Sequence, residues 1–293
     1  MTAQCPVCQA EGLELVYEGP IRSGGADSGF EEGFRVLRCP KCAIVFLDPF
    51  PESLEEYYSE KSYWENHHGA LDIEKLHRKL DPEQFRWFYE IGPAFLRGMS
   101  IVDFGCGAGL FLDAAKSVAA STAGVDKAGY FRGHLQRQGH QFFQDPSEIG
   151  DESVDTVVSF DTLEHIPTPK EFLKQMHRVL KRGGHCFVGV PNFHDFLTQL
   201  VPKYLPFFFH RSHLFYYEAQ TLSKLMTDVG FVICDVIFVH KYDLENCIVW
   251  ARDGRGQGNQ GSNLFDRHTE LAFRQQIERQ GISSHFLVHA QKA

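Results

Sequence analysis

Ile101-Val-Asp-Phe-Gly-Cys-Gly-Ala-Gly109 is the stretch whose reading decides the fold. Ile101, Val102 and Phe104 read as a short buried strand, the glycines predict a tight turn, and Leu110-Phe-Leu-Asp-Ala-Ala-Lys-Ser-Val118 resumes at helical spacing. A strand, a glycine loop and a helix in that order bring unpaired backbone N–H groups and the positive end of a helix dipole to one point. Gly105, Gly107 and Gly109 let a ligand come close to the main chain, so the loop suits a nucleotide or a carboxylate.

The spacing narrows the ligand. A dinucleotide loop, GxGxxG, needs its third glycine where Leu110 stands, because the helix must pack closely on the strand there. With leucine in that place the stretch is DxGxGxG, which resembles the first motif of class I S-adenosylmethionine-dependent methyltransferases. Downstream, Thr122-Ala-Gly-Val-Asp126 is a short strand ending in an acid, where ribose recognition needs paired acceptors. Asp126 is therefore the ribose candidate, its alternative role being to cap a helix from Lys127 to Leu135. Gln141-Phe-Phe-Gln-Asp145 reads as a third strand, with Asp145 placed to accept from an adenine amino group.

Val154 to Ile166 reads as a fourth strand running into a loop, Lys170 to Lys181 as an amphipathic helix stopped by Arg182-Gly-Gly184, and Gly184 to Asn192 as a fifth strand. The block VDTVVSFDTLEHIPTPKEFLKQMHRVLKRGGHCFVGVPN resembles the same family's fourth-to-fifth-strand segment, including its EHI and RxLKxGG elements. The resemblance covers roughly residues 98 to 240. It implies an α/β fold with a Rossmann-like seven-stranded class I methyltransferase sheet, and S-adenosyl-L-methionine as cofactor. It also implies that Asp103 and the loop Gly105, Cys106, Gly107 and Gly109 support the amino-acid end of that cofactor, while Phe160 approaches its methionine portion.

At 293 residues the chain has room for one large α/β domain and a small appendage, and 43% hydrophobic content is ample for a core. The start Met1-Thr-Ala-Gln-Cys-Pro6 lacks a basic, apolar leader, and no apolar run reaches the length of a membrane span, so the expected address is the cytoplasm. A net charge of -9 argues against a nucleic acid as the main partner.

Four of the eight cysteines fall into two CPxC knuckles, Cys5-Pro-Val-Cys8 and Cys39-Pro-Lys-Cys42. Each presents two thiolates, and four thiolates in a reducing compartment suit one structural zinc ion. Strands over Leu13–Tyr17 and Phe34–Arg38 flank a Gly/Ser turn, so residues 1–60 read as a zinc ribbon. That module carries eleven acids against four bases, which suits a metal staple better than a nucleic-acid reader. Cys106, Cys186, Cys234 and Cys247 have no ligand spacing and read as small buried residues.

Residues 61–98 read as a helical linker on the substrate side. The aromatic stretch Leu54 to Trp64 and the pair His67-His68 could form part of a substrate mouth, Leu71 to Leu80 is helical, and Pro82 marks the start of a second helix. Residues 99–293 form the methyltransferase domain, with a lid inserted at about 193–213, aromatic and broken by prolines, beyond the fifth strand where open α/β sheets receive substrates. A helix from Leu222 to Val229, a sixth strand at Phe231–Val239, a flexible loop at Asp253–Asn263, a helix from Phe265 to Gln280 and a seventh strand at Ser284–Ala290 complete it.

The four-cysteine module, this core and the segment SHLFYYEAQTL together resemble methyltransferases of sugar and surface-polysaccharide biosynthesis. That resemblance implies transfer to a hydroxyl of a sugar or glycan precursor. A small-molecule, quinone-type O-methyltransferase, an RNA base methyltransferase with a zinc module, and a cofactor-binding protein without catalysis are the alternatives. His165 and His213 are the candidate bases, since a neutral imidazole accepts a proton near physiological pH. His213 aligns with the histidine of an EHLxYF-like element in the sugar C-methyltransferases, whose glutamate is Ser212 here; without that carboxylate, a hydroxyl is the easier group to deprotonate.

Overall fold

The computed structural model describes residues 4–25, 28–51, 73–256 and 264–293. The aromatic segment from Leu54 to Trp64, His67-His68 and most of the predicted loop at 253–263 lie outside the described residues. The chain forms two compact units. One comprises residues 1–50, 189–222 and 236–287, the other residues 51–188, 223–235 and 288–293.

The second unit is built on parallel pairing. Strands β6 (Ser100–Phe104), β7 (Ser121–Val125), β8 (Gln141–Phe143) and β9 (Val154–Phe160) alternate with helices α2 (Leu110–Ala115) and α3 (Arg132–Arg137). β6 pairs in parallel with β7 on one side and with β9 on the other, and β7 pairs in parallel with β8. With β10 (Leu180–Pro191), β12 (Phe231–Val239) and β13 (His285–Lys292), the sheet order is β12-β13-β10-β9-β6-β7-β8. This is the seven-stranded Rossmann-like sheet that the motifs predict. The order in which strands are added switches sides between the parallel neighbours β6 and β9, so their carboxyl ends form the crevice where open α/β sheets bind ligands. The strands are apolar because both faces are covered: Val102, Phe104, Val157 and Val158 are buried, as is Phe111 of α2. Enclosing a side chain such as Phe111 contributes roughly 2–3 kcal/mol.

Several boundaries differ from the expectation: β8 stops at Phe143 instead of Asp145, α3 begins at Arg132 instead of Lys127, and three others have a visible cause. Helix α1 (Ile73–Ile91) is continuous through Pro82, where two helices were expected; Leu76, Trp87 and Ile91 are all buried, and that apolar stripe outweighs the one backbone bond a proline removes. Helix α2 ends at Ala115 rather than Val118, because the chain tightens into a turn with Val118 N–H donating to Ala115 and Val118 C=O accepting from Gly98. Helix α4 (Pro169–Val179) passes straight into β10 at Leu180, without stopping at Gly183-Gly184. Val179 and Leu180 are both fully enclosed, so the sheet captures the chain before the glycines are reached. Gly183 then takes a φ of 74° within the strand.

The first unit holds the four cysteines. Strands β1 (Glu14–Glu18), β4 (Arg35–Arg38) and β5 (Val45–Asp48) pair antiparallel, and β11 (Phe215–Tyr216) adds to β5 in the order β1-β4-β5-β11. A small hairpin of β2 (Ile21–Arg22) and β3 (Phe30–Glu31) lies between β1 and β4 in the chain. Ile21, Val36, Val45, Leu47, Phe209 and Tyr216 form one apolar cluster. A second cluster joins Phe196 and Leu197 of α5 (Phe196–Leu200) to Tyr204, to Cys247 and Trp250 of α8 (Leu244–Asp253), and to Ile277 of α9 (Arg267–Arg279). Helices α6 (Leu205–Phe208) and α7 (Ala219–Asp228) complete the described elements. Among the described residues, no helix is long and apolar enough to cross a membrane.

Candidate cofactor cradle and metal centre

The glycine loop closes on itself through Asp126. The Asp126 carboxylate accepts from Gly107 N–H through one oxygen and from Ala128 N–H through the other, both at 2.8 Å. It thus ties the end of β7 to the loop that follows β6, and each oxygen keeps a second lone pair for a ligand hydroxyl. Ribose acceptor and backbone cap, the two roles read for this residue, are compatible in one carboxylate. Gly109 starts α2 at a φ of 81°, and a Cβ there would lie 2.2 Å from Leu135 Cδ2; only glycine lets the helix approach so closely. Gly105 has a φ of 85°, and a Cβ would meet Thr162 Oγ1 at 2.2 Å.

Asp103 is fully enclosed at the end of β6, and burial, with the Asp126 charge beside it, pushes its carboxyl up to about 8. Burial raises Asp126 as well, against the two backbone hydrogen bonds that favour its charge. A carboxyl raised in the fold binds a proton that the unfolded chain has already lost, so its contribution to stability declines as pH rises from about 4 towards 8. Asp103→Asn, compared with the parent by urea unfolding without cofactor, should therefore be near neutral at about pH 4 and stabilising by up to about a few kcal/mol by about pH 8. A stability difference independent of pH would show that Asp103 is not held protonated.

Phe160 ends β9 and stacks on Trp87 of α1, with centroids 5.2 Å apart and planes 7° apart; its other neighbour is Phe111, at 5.0 Å. Asp161 follows at a φ of 48°, an uncommon backbone state for a residue other than glycine and one that concentrates at functional sites. Burial raises its carboxyl to about 7, opposed by the Trp87 hydrogen bond. Glu164 is buried too, and burial followed by the Asp161 charge raises it well above the carboxylate range. Trp87 and Asp161 were not singled out in the sequence, and Glu164 was noted only as the first residue of the EHI element; the tryptophan lies outside the motif block, and burial of the acids is invisible in a loop reading. His165 closes the short turn Leu163–His165, with Nε2 4.0 Å from Glu164 Oε1. His213 belongs to the first unit, where its ring lies 4.8 Å from that of His210. Asp145 caps the turn Pro146–Glu148, accepting from Ser147 N–H at 2.8 Å, and Cys106 is buried with its thiol on the Gly107 carbonyl.

The four cysteines converge. All four Sγ atoms lie within 4.8 Å of one another, with Cys5 and Cys42 at 3.7 Å and Cys8 and Cys39 at 3.5 Å. None is in a disulfide. The knuckles are built alike: Gln9 N–H donates to Cys5 and Ala43 N–H to Cys39, and Gln9 and Ala43 adopt φ near 60°. The Cys42 thiol hydrogen bond pulls Cys5 down to about 5, while burial raises Cys8. Four sulfurs around one point fit the donor set of a closed tetrahedral zinc site.

The family model described as a methyltransferase domain matches residues 74–236. A ubiquinone biosynthesis O-methyltransferase from Idiomarina loihiensis is 30% identical over 152 residues, covering 48% of this chain and 61% of the relative. Its counterpart from Pseudomonas paraeruginosa is 27% identical over 189 residues, covering 57% and 77%. The match thus spans less than two thirds of the Idiomarina relative's length. Among solved structures, a SAM-dependent methyltransferase from Thermotoga maritima aligns with a TM-score of 0.50 at 19% identity, covering 75% of this chain and 96% of that one.

Proposed function

This chain belongs to the methyltransferase-domain family, and from that premise we propose that it transfers the methyl group of S-adenosylmethionine to a hydroxyl oxygen of a small molecule. The observation that carries this reading is the cradle at the switch point, where Asp126 clamps the Gly107 N–H and leaves acceptor capacity for a ribose. When bound, the cofactor supplies a sulfonium methyl that is already activated, so the chain's part is to place the acceptor oxygen in line and remove its proton.

Among hydroxyl acceptors, the names of the relatives favour a quinone-type ring over the sugar or glycan precursor that the motifs suggest. RNA remains the less favoured class because the four-cysteine module is acidic. Incubation with labelled S-adenosylmethionine and a catechol, a set of nucleotide sugars, or RNA separates the three. Label in a ring methyl ether is expected, and label confined to nucleotide sugar or RNA would overturn the acceptor class.

The base is His165 or His213. Ser212, which stands where the sugar C-methyltransferases have glutamate, is buried and bonded through Oγ to His210 Nδ1 at 2.6 Å, so its hydroxyl orders the turn that presents His213. His213→Ala should lower turnover about 100-fold or more with cofactor affinity nearly unchanged. Full turnover in that variant would remove His213 from the chemistry, and a carbon-methylated product would defeat the Ser212 argument. The zinc ion is proposed as structural, held by Cys5, Cys8, Cys39 and Cys42.

A further inference from the structure

The first unit contains a cavity of about 320 Å³, lined by Val16, Phe193, His194, Thr198, Gln199, Leu205 and Phe209, all but the first within the segment 193–213 expected to form a lid. Its size lies at the small end of ligand pockets, roughly 300–1,000 Å³. Its walls come from two places far apart in the chain: Val16 from β1 of the four-cysteine module, the rest from the segment after β10.

His194 is the lining side chain whose orientation is determined by other residues. Its Nε2 lies 3.2 Å from Glu218 Oε1, and Glu218, only 11% exposed, is also bonded by Arg38. The His194 N–H donates to Asn192 Oδ1, and Asn192 is itself pinned by the carbonyls of Gly281 and Ser283. Nε2–H is committed to the Glu218 carboxylate, which raises the pKa of the ring, so Nδ1 is left for a ligand, as an N–H donor in the imidazolium and as an acceptor in the neutral ring. Arg38 lies 5.6 Å over the Phe193 ring, so the same cation steadies both the acid and an apolar wall.

The other polar groups are mostly spent. Thr198 donates its hydroxyl to the carbonyls of Phe193 and Asp195, and Gln199 donates its amide to the His194 carbonyl. What remains for a ligand is His194 Nδ1 and the Gln199 side-chain oxygen, against walls of Phe193, Phe209, Leu205 and Val16. A sugar brings a hydroxyl on nearly every carbon, more than these two lining groups can pair. A flat ring with one or two hydroxyls matches the supply.

We propose that this cavity binds the ring of a hydroxylated aromatic molecule, its hydroxyl hydrogen-bonded to His194 Nδ1, with Glu218 and Arg38 as positioning residues. The assignment rests on the small-molecule O-methyl transfer proposed above. It also gives the four-cysteine module a second role, since β1 supplies a wall and β4 the cation that fixes Glu218.

Titration calorimetry of the full chain with catechol tests it, alongside a separate titration with S-adenosylhomocysteine alone. Catechol should bind once per chain, His194→Ala should weaken it about tenfold, the value of one lost hydrogen bond, and Val16→Trp should block it from an exposed edge strand. Glu218→Gln, nearly isosteric, should weaken catechol by a smaller factor and lower the His194 titration midpoint seen by NMR, a change that loss of packing alone would not produce. Catechol affinity equal to the parent's in both His194→Ala and Val16→Trp, or UDP-glucose binding in preference to catechol, would overturn the proposal. Failure of catechol to bind while S-adenosylhomocysteine binds would sink the ring site and leave the cofactor reading standing. Failure of S-adenosylhomocysteine alone would sink that reading instead.

Discussion

Gly105→Val should abolish S-adenosylhomocysteine binding, with the dissociation constant rising at least about 100-fold, or about 2.7 kcal/mol, by calorimetry. Gly105 sits at a φ of 85°, where a β-branched residue is strained, and its first added carbon would lie 2.2 Å from Thr162 Oγ1 and 2.4 Å from Thr162 Cγ2. Relief would require the carboxyl ends of β6 and β9 to part, and those two ends frame the crevice. A milder companion separates this steric effect from simple misfolding. Asp126→Asn keeps the size of the side chain but replaces one of two carboxylate acceptors with an amide donor, which faces the Gly107 or Ala128 N–H. It should weaken the same ligand by about tenfold or more while leaving the unfolding transition cooperative. Unchanged binding in both variants, or NAD binding more tightly than S-adenosylhomocysteine in the parent, would overturn the cofactor assignment.

The second large effect is expected at the cysteines. Protein purified without chelator should contain one zinc per chain, and Cys39→Ser should lose it, because three thiolates cannot close a tetrahedral four-sulfur site. Cys39 is fully buried and directly follows β4, so the loss should spread along the pairing of β4 with β1 and β5. Free energy of metal binding in such modules is folding free energy, about 10 kcal/mol or more in isolated zinc-finger peptides. Amide exchange over residues 35–48 should therefore accelerate by orders of magnitude in Cys39→Ser, or in the parent treated with chelator. Absence of zinc by elemental analysis, or protection unchanged by chelator, would remove the metal from the account.

The class of fold was legible in the order of local signals. Val102 and Phe104, the glycines and the helix after them specify β6, loop and α2 through short-range rules, and repetition of that unit in a chain this long admits few arrangements other than a parallel sheet. The two knuckles were legible for the same reason, since CPxC spacing is a local constraint on two sulfurs. Their convergence on one point was an inference from chemistry that the 3.5 and 3.7 Å sulfur contacts now accompany.

Tertiary structure alone decided what depends on burial and on partners distant in sequence. Pro82 read as a boundary because a proline breaks a local bond, yet Trp87 and Ile91 carry the helix through it by what they bury. Phe215 and Tyr216 have no strand-length pattern of their own and become β11 only because Val45 and Phe46 offer an edge. Asp103, Asp161 and Glu164 are ordinary acids in the sequence, and enclosure in the fold is what raises their carboxyls. His194, Glu218 and Arg38 lie up to 180 residues apart, so no spacing rule could join them. Their meeting follows from the pairing of a ribbon strand region with the segment after β10, a long-range contact that periodicity and motif do not encode.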